Sequence, residues 1–158
     1  FFAPHWPDII LGRASLRERL EPVLAEIAPG LGVDRLIAYW FENDAHLDLG
    51  LLAQLAPIRA RGVKLHLATV QEHERAYHIW NELGLKQHFD NMHYAAEIGW
   101  AKPAAQFFRA AAARSGFAPR EIFFIDDKQA NVDAARAEGW SAAVWDGTRP
   151  LAVLMAEG

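Results

Sequence analysis

The sequence predicts an α/β protein: a Rossmann-like parallel sheet with flanking helices, preceded by a small helical subdomain. From Leu49 onward, short apolar segments alternate with helical segments of about a dozen residues, which is the pattern of βαβ units. One of these segments, residues 122–125, is apolar without interruption, as expected of a strand buried on both faces. Before residue 48 the helical segments have no strand between them, and this predicts a separate helical unit.

The N-terminal helices are predicted from a capping signal and from helical spacing. Ser15 and Glu18 stand three residues apart and form a capping box, and apolar residues at helical spacing continue the helix to Ile27. A second helix is predicted from Asp34 to Phe41. Because no strand alternates with these helices, we place residues 1–48 in a helical cap over the sheet.

The α/β core is predicted in residues 49–158. Its elements in order are a helix ending at Gly62, a strand over 63–69, a helix over Glu72–Leu83, a short strand over Met92–Ala95, a helix from Pro103 to Ser115, a strand over Glu121–Asp126, a helix over Lys128–Glu138 and a strand over Trp140–Trp145. Glycines after several of these helices and Pro103 in a first turn are the signals that set the bounds.

Composition limits the class of protein. With 158 residues, of which 52% are hydrophobic and 23% charged, the chain is typical of a small globular protein. Its net charge is −4 and no basic block stands out, so nucleic acid is not an expected partner. Cysteine is absent, which excludes disulfides, zinc–thiolate sites and thiol catalysis and suits a cytoplasmic location. No apolar run approaches the roughly 18–20 residues of a membrane helix, so a membrane partner is not expected either.

Two adjacent carboxylates, Asp126 and Asp127, end the most apolar predicted strand. Ligands of open parallel sheets bind beyond the carboxyl ends of the strands, so polar residues at these ends are candidates for a site. Neighbouring carboxylates repel each other and are costly to desolvate, and a hard divalent cation such as Mg²⁺ relieves both costs. The alternative is that an aspartate only caps the following helix.

Thr69 and Lys102 are the other polar candidates. Thr69 ends its predicted strand, where a hydroxyl and nearby backbone N–H groups can hold a phosphoryl oxygen; the alternative is an ordinary β-branched strand residue. Lys102 precedes Pro103, and its compact ammonium suits a point charge beside a phosphate and a carboxylate; the alternative is a solvated surface lysine.

Taken together, these residues resemble the second, third and fourth motifs of the haloacid dehalogenase superfamily. The resemblance covers about residues 47–144 and depends on the order, spacing and strand-end placement of the motifs. The residues that carry it are Thr69, Lys102-Pro103, Phe124-Ile125-Asp126-Asp127, Asn131 and Ala134-Ala135.

The resemblance implies a phosphotransfer mechanism. In this family an aspartate on the first strand attacks the phosphoryl group, an aspartyl-phosphate forms, and water hydrolyses it with help from a second acid two residues on. By resemblance, Thr69 and its neighbour Val70 bind the phosphoryl group, and Lys102 pairs with phosphate and nucleophile. Asp127 is implied as a Mg²⁺ ligand, and Asp126 as a second ligand or its support.

This sequence departs from the family pattern in two places. The Asp-x-Asp of the first motif is absent from these residues, and the resemblance places that strand upstream of Phe1. The 158 residues by themselves are therefore expected to lack activity. Val70 stands where many phosphatases of this type have Asn.

The function expected from the sequence is a Mg²⁺-dependent phosphatase that acts on a small phosphorylated metabolite. A metal-independent 2-haloacid dehalogenase-type hydrolase is one alternative, although the dehalogenases have Ser and Asn where this chain has Asp126 and Asp127. A non-catalytic relative that binds a ligand or protein is another. The residues before Phe1 discriminate the three, because Asp-x-Asp, a lone Asp or no Asp would favour them in that order.

Overall fold

The protein is described by a computed structural model over residues 2–157, with side chains over residues 2–156. Its helices are α1 (Phe2–Ile10), α2 (Leu16–Ile27), α3 (Val33–Asp44), α4 (Leu49–Ala60), α5 (His73–Tyr77), α6 (Ala95–Ile98), α7 (Ala105–Ser115), α8 (Gln129–Ala137) and α9 (Leu151–Glu157). Its strands are β1 (His66–Thr69), β2 (Asn91–Tyr94), β3 (Phe123–Asp126) and β4 (Ser141–Val144). A π-helical turn (His78–Glu82) continues α5, and short 3₁₀ turns cover Leu85–Gln87 and Pro119–Glu121.

The N-terminal helices α1–α3 enclose an apolar cluster of their own. Its buried members are Ile9, Leu16, Leu20, Ile37 and Phe41. The Ser15 half of the predicted capping box is confirmed, because Ser15 Oγ accepts a hydrogen bond from the backbone N–H of Glu18 at 3.5 Å. Helix α1 was not predicted. The ends of the two predicted units, Phe1 and Gly158, lie outside the described residues.

Helix α3 continues three residues beyond its predicted end at Phe41. Asn43 and Asp44 are usually helix breakers because their side chains compete for backbone groups. Here the Asn43 side-chain amide donates to the carbonyl of Tyr39, four residues earlier, at 2.7 Å. This bond is compatible with helical backbone geometry, and the helix continues to Asp44.

The parallel pairing of the strands is confirmed, but the described strands form two sheets rather than one. β1 pairs with β2, with Thr69 opposite Tyr94, and β3 pairs with β4, with Asp126 opposite Val144. Both pairs are parallel. The α/β fold predicted from the sequence is therefore correct, and the sheet is divided between β1 and β3.

Apolar clusters cover both faces of β3, as its uninterrupted apolar run predicted. Phe124 packs with Phe107, Phe108 and Trp140 in a cluster built largely from α7 and α8, with ring centroids 5.4–5.8 Å apart. The alternate residues Phe123 and Ile125 pack against the cluster of Ile58, Leu151 and Leu154, from α4 and α9. Side chains alternate across a strand, so neighbouring residues of β3 reach opposite faces.

Several bounds differ from the predicted ones. The predicted helix from Glu72 to Leu83 is α5 followed by a π-helical turn, and α7 begins at Ala105, after Pro103 rather than with it. Helix α9 was not predicted. None of the helices in residues 2–157 is long and apolar enough to cross a membrane.

Candidate active site

Lys102 connects the carboxyl ends of the two sheets. Its ammonium donates to the backbone carbonyl of Ala68 in β1 at 2.7 Å and to Oδ2 of Asp126 in β3 at 2.5 Å. The side chains of Lys102 and Asp126 are only 10% and 5% exposed. The ammonium also lies 5.3 Å from the centre of the Phe124 ring. Lys102 is therefore a buried, fully oriented cation and not a solvated surface lysine.

The Asp126 carboxylate is held by three donors. Oδ2 accepts from Lys102, while Oδ1 accepts from the Asn131 amide and from the backbone N–H of Lys128, both at 2.9 Å. Burial favours the neutral acid and raises its pKa, but these donors outweigh burial and hold the pKa of Asp126 below its ordinary value. The carboxylate is thus a fixed negative charge at neutral pH.

The remaining predicted residues lie at the ends of the same strands. Thr69 is the last residue of β1, half-buried, and follows the carbonyl that Lys102 binds. Val70 is 36% exposed. Asp127 follows β3 directly and is exposed, in contrast to Asp126. The structure thus brings Lys102, Asp126 and the end of β1 together, with Asp127 one residue away.

A Mg²⁺ ion would find oxygen donors here but no complete cage. Among the side chains of residues 2–156, no group of three His, Asp or Glu is placed to hold a metal ion. Mg²⁺ usually keeps several waters and takes one or two carboxylates plus substrate phosphate, so it does not need such a group. Asp127 is exposed and suits this role, whereas both oxygens of Asp126 already accept hydrogen bonds. The residues present therefore fit a partly hydrated Mg²⁺ ion.

Two contacts near the site were not predicted. Glu72, only 3% exposed, caps α5 by accepting from the backbone N–H groups of Glu74 and Arg75 at 2.8 and 2.5 Å, and burial raises its pKa. His73 Nδ1 lies 3.3 Å from the hydroxyl of Tyr94, the residue opposite Thr69. An acidic residue at the predicted start of this helix could have indicated the cap. The second contact joins residues far apart in sequence and has no local signal.

Known proteins share this sequence pattern and this fold. The sequence model of the haloacid dehalogenase-like hydrolases matches residues 9–139. A HAD family enzyme of Bacteroides thetaiotaomicron, in complex with magnesium and inorganic phosphate, is 19% identical, with a TM-score of 0.78 over 98% of this chain and 80% of that chain. A predicted HAD-like family hydrolase of Porphyromonas gingivalis is 20% identical, with a TM-score of 0.73 over 98% of this chain and 79% of that chain. These structures show that the fold is shared, and the family match extends over most of the sequence. The chain belongs to the haloacid dehalogenase-like hydrolase family.

Proposed function

We propose that this protein is a Mg²⁺-dependent phosphatase that hydrolyses a small phosphorylated metabolite through an aspartyl-phosphate. The observation that carries the proposal is the buried Lys102, held between Ala68 and Asp126 where the carboxyl ends of the two sheets meet. A cation oriented in this way, at the edge where parallel sheets bind ligands, suits an anionic substrate. The magnesium and phosphate bound by the Bacteroides enzyme agree with this choice.

Lys102 has one donor left for substrate. An ammonium group has three N–H donors, and two of them are directed at Ala68 and Asp126. The third can reach a phosphoryl oxygen or a nucleophilic carboxylate. Asp126 supports this arrangement, because it fixes the ammonium and remains charged. The Thr69 hydroxyl and the N–H of Val70, at the end of β1, supply neutral donors for the same phosphoryl group.

We assign Asp127 as the residue that holds Mg²⁺, with Asp126 in the supporting role. When bound, the ion would offset the negative charge of the phosphoryl group. The amide of Asn131 and the N–H of Lys128 keep Asp126 directed towards Lys102, so the exposed neighbour is the carboxylate free to bind a cation.

We further propose that the nucleophile lies on a strand between β1 and β3, outside these 158 residues. The described strands form two separate parallel pairs, and Lys102 joins their ends, as expected if a central strand separates them. An aspartate there would attack phosphorus as the bond to the leaving oxygen breaks, and a second acid would give that oxygen a proton. Water would then hydrolyse the acyl phosphate. Residues 1–48, with their own apolar cluster, would form the cap over this site.

The test is hydrolysis of p-nitrophenyl phosphate by the full-length protein, with Mg²⁺ or with excess chelator. Asp127→Asn should lower kcat/KM at least roughly 100-fold and weaken Mg²⁺ binding, since it removes a charged ligand. Asp133→Asn, an exposed aspartate on α8 with a side chain 62% exposed, is the matched control and should keep its activity. Residues 1–158 alone should be inactive.

Other outcomes would favour the other candidate functions. Full activity in chelator, or halide release from 2-chloropropionate without metal, would replace the phosphatase with a dehalogenase-type hydrolase. Absence of turnover on both substrates would leave a binding protein. Equal turnover by residues 1–158 and the full-length protein would place the nucleophile within these residues and contradict the proposed central strand.

A further inference from the structure

Arg75 of α5 binds the end of α3, 31 to 34 residues earlier in the sequence. Its guanidinium donates to the backbone carbonyls of Phe41 and Asp44 and to Oδ2 of Asp44, each at 3.1 Å. It also lies over the Phe41 ring, 5.0 Å from the centroid. The Arg75 side chain is 12% exposed, whereas its ion-pair partner Asp44 is 64% exposed, so the buried part of this contact is the guanidinium on Phe41.

These carbonyls are the ones that a helix cannot satisfy by itself. The last four C=O groups of a helix have no intrahelical partner, and Phe41 and Asp44 belong to the last four residues of α3. A cation near a helix C-terminus is also favourable because it meets the negative end of the helix dipole. α3 has no basic residue in its last turn. Arg75, which belongs to α5, supplies the basic group that the last turn of α3 lacks.

The contact lies where the N-terminal helices join the rest of the protein. α3 ends at Asp44, and α4 begins at Leu49, so residues 45–48 form the non-helical connection between them. α5, which carries Arg75, begins four residues after Thr69 at the end of β1. Arg75 therefore ties the connection to the element that follows the candidate active site.

Other described contacts also join these parts, and the turn at Gly12 lies close to the Ala96 carbonyl of α6. Arg17 of α2 donates to Glu74 on α5 at 2.7 Å, and Phe41 packs on the His78 ring at 5.2 Å between centroids. Between them is an open cavity of about 420 Å³ whose lining includes Arg17, Phe41, Glu74 and His78. This cavity leaves part of the contact between α3 and α5 unfilled by side chains, so the polar contacts of Arg75 contribute to the position of α3 there.

We propose that Arg75 pins a hinge at residues 45–48 and is a positioning residue that sets how helices α1–α3 lie relative to the phosphate site. Its effect on turnover rests on the proposed phosphatase function, while the hinge itself does not. Loss of Arg75 frees the end of α3 and lets the N-terminal helices move, without altering the contacts of Lys102.

The test compares Arg75→Met, Arg75→Lys and Arg109→Met by amide hydrogen exchange in the full-length protein. Arg109 is the control, since it also makes a double charged contact, with Glu138 at 2.7 and 2.9 Å, but within the α/β part. Arg75→Met should speed exchange at residues 42–49 roughly tenfold and leave residues 107–112 unchanged. Arg75→Lys should restore part of the protection, and Arg109→Met should leave residues 42–49 as they are.

Kinetics give a second readout. Arg75→Met should raise KM for p-nitrophenyl phosphate several-fold, roughly as expected for one lost charged contact, and leave inhibition by inorganic phosphate unchanged. Faster exchange spread equally over residues 107–112, or no change at 42–49, would overturn the hinge. If exchange rises at residues 42–49 as expected but the protein hydrolyses no phosphate ester, the hinge is supported and only the phosphatase function is refuted.

Discussion

Replacing Lys102 with Met should destabilise the protein strongly, because it leaves Asp126 as a buried carboxylate without its cation. The two side chains are 10% and 5% exposed, so solvent cannot replace the lost partner. Removing one member of a buried ion pair typically costs about 3–5 kcal/mol of unfolding free energy. Asn131 and the N–H of Lys128 still donate to Asp126, so we expect a loss near the lower limit, about 3 kcal/mol.

The loss should depend on pH in a defined direction. In the native protein the pKa of Asp126 is lowered, so its contribution to stability is present above the pKa of the unfolded chain and disappears as the pH falls through the lowered folded value. Without Lys102, burial remains and a donor is gone, so the folded pKa of Asp126 rises. Protonation then removes the buried charge. The difference in free energy of unfolding between the native protein and Lys102→Met should therefore shrink from about 3 kcal/mol at pH 7 to about 1 kcal/mol near pH 4.

Urea unfolding followed by tryptophan fluorescence at pH 7 and pH 4 measures both differences. The double variant Lys102→Met with Asp126→Asn removes both charges, so its loss should be smaller than the sum of the two single losses by about 2 kcal/mol or more. Additive losses, or a loss that does not change with pH, would refute the reasoning, since they would mean that the two groups do not interact through a buried charge.

Three further predictions concern other parts of the molecule. Burial lowers the pKa of His93 from 6.5 to about 4. The neutral imidazole therefore contributes to the free energy of unfolding above pH 6.5, and up to about 3 kcal/mol is lost as the pH falls from 6.5 to 4. His93→Gln should make the free energy of unfolding depend less on pH in this range. Gly12→Ala should lower the free energy of unfolding in urea more than Gly116→Ala does. Both glycines have a positive φ, 71° and 77°, but of the two only Gly12 would bring an added Cβ into a clash, with the carbonyl oxygen of Ala96. Equal losses would contradict the close approach. Thr69→Val should raise KM for p-nitrophenyl phosphate roughly tenfold and Thr69→Ser much less, since only the hydroxyl is proposed to act.

The sequence predicted those parts of the fold that depend on local pattern. Alternating apolar and helical segments predicted the four strands, and Ser15 predicted the start of α2, because a cap is a contact between neighbours. The π-helical turn at His78 was not predictable in this way. His78 packs against Phe41, which belongs to a helix far away in sequence, and the local residues predict one continuous helix.

The candidate site was predictable as a set of residues but not as a set of contacts. Strand-end placement identified Thr69 and Asp126, and the position before Pro103 identified Lys102. The partner of Lys102 in β1, however, is a backbone carbonyl, that of Ala68. Every residue has a carbonyl, so no residue type could indicate this one. Local pattern did not indicate the division of the sheet between β1 and β3, but it is the division that the proposed central strand would produce.

The two adjacent aspartates show how position separates identical groups. Residues two apart in a strand share a face, so Asp126 lies on the side of Phe124, where Lys102 packs over the ring and binds the carboxylate. Asp127 lies beyond the strand end and is exposed. One carboxylate is consumed by the internal hydrogen-bond network, and the other is available to a cation. For this reason Asp126→Asn should mainly lower the free energy of unfolding. Asp127→Asn should mainly lower the affinity for Mg²⁺ and change the free energy of unfolding little. The opposite pattern would exchange the roles of the two residues.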